Sequence, residues 1–324
     1  MTMTQEQATW FADTFGKLVD NVGKAVLGKQ DVIRLVLTAM FAEGHVLLED
    51  APGTGKTSLA RALAATVDGT SNRIQFTPDL LPSDVTGVTI WDEHARKFEF
   101  HRGPIFASIV LADEINRASP KTQSALLEVM EESRVTVDGV THEAGRPFLV
   151  IATQNPIEQA GTYKLPEAQL DRFLLKSSIG YPDLASTTAI LGGSSVRNSA
   201  SRLSPLITTK AVADMADLAS TTYADPALLR FIAELAEETR NASEVRVGVS
   251  VRGALAMTRA AKVWAAAQGR NYVAPDDVKQ LAVSVWAHRI VLDPEAEFGG
   301  VTATSVIGAV LADVAAPQQR AAVA

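Results

Sequence analysis

Apolar residues along this chain follow two spacings, and the change between them predicts an α/β part followed by a helical part. In the first part, short apolar runs of strand length alternate with stretches in which apolar residues recur every three or four positions. The strand-like runs are Val46–Leu48, Arg73–Phe76, Ile109–Leu111, Phe148–Thr153 and Leu174–Ile179. Uniformly apolar runs of this length are typical of parallel strands that helices cover on both faces. We therefore expect a parallel-sheet domain over residues 1–183 and a small helical domain over residues 184–324.

The helical spacing is clearest at the two ends of the chain. Residues 6 to 43 are predicted to be helical, with a break at Val26–Lys29 and one buried face. That face comprises Phe11, Phe15, Leu18, Val19 and Val22. In the second domain a loop is predicted from Ser194 to Ser204, and helices follow it. Their inward positions are predicted at Leu228, Phe231, Ile232, Leu235, Leu281, Val285 and Trp286.

The chain between the second and third predicted strands is longer than a plain connection needs. Residues 78–87 read PDLLPSDVTG, which predicts a loop, and two alternating segments follow, Val88–Trp91 and Lys97–Phe100. Alternation around a polar turn is a hairpin signal. We expect an insertion over about residues 76–104 that projects from the sheet, and we expect Asp79–Gly87 to be replaceable by a flexible linker. The insertion either contacts a partner or a pore, or is decoration.

The glycine-rich stretch after the first strand carries the clearest chemistry. Residues 46–58 read VLLEDAPGTGKTS, and good helix formers follow. Strand, glycine loop, Lys-Thr and helix together form the phosphate-binding loop, in which backbone N–H groups and a helix N-terminus surround the phosphates. Lys56 is expected to reach the β/γ-phosphates and Thr57 to hold Mg²⁺. The expected nucleotide contacts are Asp50, Ala51, Pro52, Gly53, Thr54, Gly55, Lys56, Thr57 and Ser58, with Asp50 where the general pattern has glycine.

Polar side chains follow two of the other predicted strands. Asp113 and Glu114 end the strand that begins at Ile109, at the edge of the sheet where the phosphate loop is expected. Asp113 can hold Mg²⁺ through its water shell, and Glu114 can polarise the attacking water. Asn155 follows the next strand and could position that water, although Asn-Pro at a strand end is also an ordinary turn.

Composition and charge limit the kinds of partner, metal site and location that suit this chain. The 324 residues carry a net charge of −7, which argues against an electrostatic nucleic-acid binder. There is no cysteine, so disulfides and thiolate metal sites are excluded and a cytosolic location fits. The five histidines are scattered along the chain, and this spacing argues against a metal site formed by histidines. We expect no signal peptide, since the N-terminal residues MTMTQEQATW have no basic segment followed by an apolar one. We expect no membrane span, since the most apolar late stretch, Val301–Ala316, is interrupted by Asp313.

Taken in order, these motifs resemble the AAA+ ATPases, and more narrowly their MoxR branch. The resemblance extends from about Leu18 to about Val291, and its most specific block is ADEINRASPKTQSALLEVMEE at residues 112–132. It implies the fold class: an α/β P-loop NTPase core with a parallel-sheet sandwich, followed by a small all-helical lid. It further implies that Asn155 is the first sensor, Arg172 in LDRF the arginine finger and Arg252 in SVRGAL the second sensor. On this view, lid motion carries Arg252 toward or away from the γ-phosphate.

The resemblance also implies a function and partners. It predicts Mg²⁺-dependent ATP hydrolysis by a homo-oligomeric, hexameric ring that assembles, matures or remodels a partner protein with a von Willebrand factor A domain. Val26 and Leu27 could lie against the adenine ring, or could be ordinary packing. Three alternatives stay open: the motor subunit of a metal-chelatase complex, a DNA-directed motor, and a nucleotide switch without hydrolysis. The negative charge argues against the second, and the presence of Glu114 and Arg172 argues against the third.

Overall fold

The computed structural model describes residues 2–51, 53–155, 162–194 and 199–317. The strands are β1 (Val46–Glu49), β2 (Ser71–Gln75), β3 (Gly87–Asp92), β4 (Lys97–Arg102), β5 (Ile109–Asp113), β6 (Arg134–Val137), β7 (Val140–Glu143), β8 (Leu149–Gln154), β9 (Leu175–Ser177), β10 (Val245–Val247) and β11 (Val291–Leu292). The helices are α1 (Gln5–Gly23), α2 (Gln30–Phe41), α3 (Lys56–Thr66), α4 (Pro82–Thr86), α5 (Pro120–Glu132), α6 (Glu167–Leu170), α7 (Leu184–Ala189), α8 (Thr209–Ser220), α9 (Pro226–Asn241), α10 (Val251–Ala267), α11 (Pro275–Trp286), α12 (Pro294–Phe298) and α13 (Ala303–Asp313).

A five-stranded parallel sheet in the order β2-β5-β8-β1-β9 forms the centre of the first part of the chain. The prediction of a parallel α/β core is confirmed. Successive residues face opposite sides of a strand, so Leu48 joins the core under α1, α2 and α3, while Leu47 joins the core with α4 and α5. Helices on both faces explain why the strands read as uniformly apolar runs.

The predicted helical domain is also present. Helices α8 to α11 and α13 share one buried core with α1 and α2. The inward positions predicted on α9 and α11 are all buried. The segment after Phe298, for which the sequence offered no interpretation, packs through α13 against α9 and α11. Within the described ranges, no helix is long and apolar enough to cross a membrane.

The stretch expected to be a replaceable loop contains helix α4. The N–H group of Leu81 donates to the Asp84 carboxylate at 2.8 Å, which fixes the first turn of the helix. Val85 is fully buried in the core that α4 shares with α5. The expectation that Asp79–Gly87 could be exchanged for a linker is therefore wrong, because this segment supplies core contacts.

The hairpin predicted from the alternating pattern is present, and the structure has a second hairpin after α5. Strands β3 and β4 pair antiparallel, and the rings of Trp91 and Phe98 meet edge to face at 5.0 Å on an exposed surface. Strands β6 and β7 are joined through Asp138 and Gly139, whose φ angles of 51° and 79° suit a tight hairpin turn. The loop predicted from Ser194 to Ser204 lies partly outside the described residues.

Candidate active site

The phosphate loop connects β1 to α3 through two glycines in the left-handed region. The φ angles of Gly53 and Gly55 are 85° and 95°, which side chains rarely tolerate. Gly55 provides no side-chain cap, so the first N–H groups of α3 have no side-chain acceptor. The Lys56 ammonium donates to the Asp50 carbonyl at 3.4 Å. Pro52 lies outside the described residues. The arrangement provides the backbone donors, helix N-terminus and cation that a phosphate group needs.

The carboxylate of Asp50 is bonded within the chain, and the predicted contact of this residue with the nucleotide stays a prediction. It accepts hydrogen bonds from the Ser178 hydroxyl at 2.8 Å and from the N–H groups of Ile179 at 2.7 Å and Gly180 at 2.8 Å. These residues follow β9, on the way to α7. Asp50 therefore ties the base of the phosphate loop to the connection between sheet and lid, and its carboxylate is already occupied.

The carboxyl ends of β5, β8 and β1 bring the other polar groups to the same edge as the phosphate loop. The Asp113 carboxylate accepts from the Thr153 hydroxyl at 2.7 Å and from the Arg73 guanidinium at 2.6 Å. Asn155 follows β8, whose last residue Gln154 accepts the Asp50 N–H at 3.1 Å. The predicted metal, water and sensor residues thus share one edge.

Glu114 is held by groups that the sequence analysis did not identify. Its φ angle is 57°, and its N–H group donates to the Thr153 hydroxyl at 2.9 Å. Its carboxylate accepts from the Gln75 amide and from the Arg117 guanidinium, each at 3.0 Å. A usable signal for Gln75 was its position at the end of β2, which lies beside β5 with Gln75 opposite Asp113.

The residues present fit a magnesium ion that is held jointly with phosphate. The described part of the chain contains no group of three or more His, Cys, Asp or Glu side chains that could hold a metal. Mg²⁺ is usually bound by one or two carboxylates together with substrate phosphates and water. Thr57, in the first turn of α3, and Asp113 supply the oxygen atoms that such a site would use.

Arg172 and Arg252 lie together, but not with the phosphate loop. Arg172 Nε donates to Glu131 Oε2 at 3.1 Å, and Arg252 forms an ion pair with the other oxygen of the same carboxylate. Next to Glu131, the Met130 carbonyl is bonded to His45, the residue that precedes β1. This carboxylate therefore lies near the amino end of the strands. One strand of four residues, roughly 10 Å, separates that end from the phosphate loop.

The turn between α1 and α2 lies on the β9 side of the phosphate loop. Val26 is buried and Leu27 is half-buried. The Lys29 ammonium donates to the Tyr181 carbonyl at 2.7 Å. Gly28 approaches Ser186 so closely that an added Cβ would lie 2.4 Å from the serine Oγ. Because residues 178–180 bind Asp50, this turn borders the same region as the phosphate loop.

Comparisons with known proteins agree with this geometry. Residues 45–175 match the model of the ATPase family associated with various cellular activities (AAA), and residues 237–309 match the AAA lid domain. The chain is 47% identical to the YeaC protein of Bacillus subtilis, over 95% of this chain and 96% of that one. It is 38% identical to Chaperone MoxR1 of Mycobacterium tuberculosis, over 95% and 84%. A crystal structure of a protein from Cytophaga hutchinsonii superposes with a TM-score of 0.90 at 38% identity, covering 97% of this chain and 98% of that one.

The fold and the site define the class of protein first. It is an AAA-type P-loop ATPase with a helical lid, in which the phosphate loop, the acidic strand end and the lid occur in the family's order. Within that class the chain belongs to the MoxR family, as its extensive identity with a MoxR chaperone shows.

Proposed function

We propose that this protein forms a homo-oligomeric ring, a hexamer, and hydrolyses ATP in sites that neighbouring subunits share. The observation that carries the proposal is the separation of the site's two parts. The phosphate loop and Glu114 lie at the carboxyl edge of the sheet, whereas Arg172 and Arg252 meet on Glu131 near the amino edge. In a ring, the arginines of one subunit would complete the nucleotide site of the next.

The substrate is Mg²⁺·ATP. Lys56 binds the β/γ-phosphates, and Thr57 and Asp113 hold the metal with the phosphate oxygens. The two left-handed glycines and the uncapped start of α3 support this assignment. Mg²⁺ supplies charge neutralisation at the transferring phosphoryl group when it is bound.

Glu114 polarises the attacking water and Asn155 helps to orient it. Both residues follow strands that lie next to each other, which supports a shared task. Val26 and Leu27 contact the adenine ring, on the side of the loop bordered by residues 178–180. Arg172 enters from the next subunit and stabilises the charge that develops on the γ-phosphate.

The surface beside Arg252 supports contact with a second copy of the chain. Val251 and Leu255, in the first two turns of α10, are 73% and 62% exposed. Exposed apolar side chains next to a functional arginine are expected where another subunit covers them. In this arrangement Arg252 acts together with Arg172 on the nucleotide of the neighbouring subunit. It does not act on the nucleotide that its own chain binds.

The ring acts as a chaperone that assembles, matures or remodels a partner protein with a von Willebrand factor A domain. Support comes from the name of the MoxR1 relative and from the exposed aromatic pair Trp91 and Phe98 on the inserted hairpin. The proposal includes a cytosolic location, in keeping with a chain that has no cysteine. It also includes a core over residues 1–183 and a lid over residues 184–324.

Phosphate release from ATP, with and without Mg²⁺, tests the proposal. The protein concentration is varied across the range in which sedimentation shows assembly. A shared site predicts an Mg²⁺-dependent rate that rises faster than in proportion to concentration. A rate strictly proportional to concentration across that range would contradict it. The partner can be captured with a Glu114→Gln variant in ATP, using a von Willebrand factor A domain protein as the probe.

A further inference from the structure

The residues on either side of Arg172 are fastened to the lid by one buried arginine. Arg289 ends the short turn after α11, and its side chain is 2% exposed. Its guanidinium donates to the Asp171 carboxylate at 2.7 Å, to the Phe173 carbonyl at 2.6 Å and to the Leu174 carbonyl at 3.2 Å. The side chain of Arg172 extends instead to Glu131. The lid therefore holds the backbone of the finger segment, while the side chain of Arg172 is half-buried against Glu131.

The start of α10 reinforces this attachment. The Ser250 hydroxyl donates to the second oxygen of Asp171 at 3.1 Å, and the same oxygen of Ser250 caps the helix by accepting the Gly253 N–H. Gly253 makes room for the buried arginine, since an added Cβ would lie 2.9 Å from Arg289 Cδ. Asp171 thus accepts hydrogen bonds from two parts of the lid, the turn after α11 and the start of α10. The start of α10 also carries Arg252.

Burying a guanidinium group is costly unless its donors are well used. Burial lowers the pKa of Arg289, and the nearby Asp171 carboxylate opposes that effect. Hydrophobic residues of similar volume would usually stabilise a junction at least as well as a buried ion pair. The planar guanidinium group of Arg289 donates to two successive backbone carbonyls. Hydrogen bonds of this kind fix the direction of the chain, which apolar packing does not do.

We infer that Arg289 is the positioning residue for the arginine finger, since it sets the direction in which Arg172 leaves the chain. The inference rests on the proposed function, in which Arg172 completes the neighbouring subunit's site. It also means that the lid and the finger move as one unit. A lid displacement in one subunit changes the phosphate contacts in the next.

Arg289→Lys in the full chain tests the inference, because lysine keeps the charge but cannot span three acceptors. ATP binding is expected to stay at the wild-type level. Turnover is expected to fall about 10²-fold, as small misplacements of a reacting group can cause. Mixing provides the readout that a merely structural role would not move. Lys56→Ala subunits, with an intact finger, should restore activity to Arg289→Lys subunits, whereas Arg172→Ala subunits should not.

Two further variants make the test specific. Asp171→Asn removes the counterion from the other side and should show the same pattern of rescue. Arg246→Lys is the comparison variant, since Arg246 also joins the lid to the core, through the side chain of Glu167 at 3.2 Å, but in an exposed ion pair outside the buried cluster of bonds around Asp171. It should retain wild-type turnover.

Three results would overturn the inference while the proposed shared site still stands. The first is Arg289→Lys turnover within twofold of wild type. The second is rescue of Arg172→Ala by Arg289→Lys, which would show a working finger. The third is failure of Lys56→Ala to rescue either Arg289→Lys or Asp171→Asn, which would show general damage. If Lys56→Ala and Arg172→Ala fail to complement each other, the shared site itself is wrong and the inference fails with it.

Discussion

At the scale of single residues, neighbouring side chains hold the carboxylate that we propose polarises the attacking water. Glu114 has a left-handed backbone, and its carboxylate accepts from Gln75 and Arg117 at 3.0 Å each. Both donors stabilise a negative charge at this position. The direction of this carboxylate is therefore set by β2 and by the turn that follows β5.

We predict that Glu114→Gln binds ATP at the wild-type level and hydrolyses it at least about 10²-fold more slowly. The amide preserves the shape of the side chain but cannot act as a general base. Equilibrium nucleotide binding and single-turnover phosphate release measure the two effects separately. Unchanged turnover would remove Glu114 from the mechanism.

A buried histidine links the first strand to the helix that carries Glu131. The Val150 N–H donates to His45 Nδ1 at 3.0 Å, so Nε2 carries the proton and donates to the Met130 carbonyl at 2.8 Å. Burial lowers the pKa of His45 from 6.5 to about 4. The ring is therefore neutral in the folded protein near neutral pH.

This pKa predicts a loss of stability in mild acid. Below pH 6.5 the unfolded chain takes up a proton at His45, while the folded chain does so only near pH 4. Because the unfolded state binds more protons in this window, the free energy of unfolding falls as the pH falls. His45 should contribute about 2 kcal/mol to the decrease between pH 7 and pH 5. Urea unfolding of wild type and His45→Gln at both pH values measures it, and equal decreases would refute the assignment.

At the scale of elements, helix α4 shows that the base of the insertion is part of the core. The hairpin β3–β4 projects with exposed side chains, but α4 at its base packs against α5 through a buried Val85. The helix also carries Leu81 at its cap, where the side chain is 59% exposed. The insertion is therefore anchored at its base and free only at its hairpin.

Val85→Ala should lower the free energy of unfolding by about 2 kcal/mol, because it removes buried methyl groups and leaves a cavity. Leu81→Ala is the matched control one turn away and should change stability little. Chemical denaturation of both variants decides the matter. If Val85→Ala changed the stability as little as Leu81→Ala, Val85 would not contribute to the core as described.

The sequence predicted the elements well where a local pattern determines them. The buried strands, the hairpin of the insertion and the amphipathic helices each carry a signal within a few residues. Helix α4 escaped notice because Pro82 and Asp84 also suit a loop, and only the distant contact with α5 makes Val85 a core residue. The same limit applies to the site. The phosphate loop is contiguous and readable, whereas the pairing of Arg172 with Arg252 through Glu131 depends on packing between distant segments.

At the scale of the whole molecule, the phosphate loop and the two arginines proposed for the active site lie at opposite edges of the sheet. Glu131 forms ion pairs with Arg172 and Arg252 near the amino edge of the sheet. Arg289 of the lid binds Asp171, the residue before Arg172. Asp50 joins the phosphate loop to the connection that leads into the lid. The lid is thus linked at one end to the phosphate loop of its own chain and at the other to the arginines that we propose act on a neighbouring subunit.

Complementation between two inactive subunits tests this arrangement most directly. Lys56→Ala should lose tight nucleotide binding but keep its arginines, and Arg172→Ala should bind ATP normally but hydrolyse it about 10³-fold or more slowly. When the two are mixed and allowed to exchange subunits, an interface with an intact site and an intact finger forms. Phosphate release should then rise well above the sum of the separate proteins. A mixture that assembles by sedimentation but releases no more phosphate than that sum would contradict a finger supplied by the neighbouring subunit.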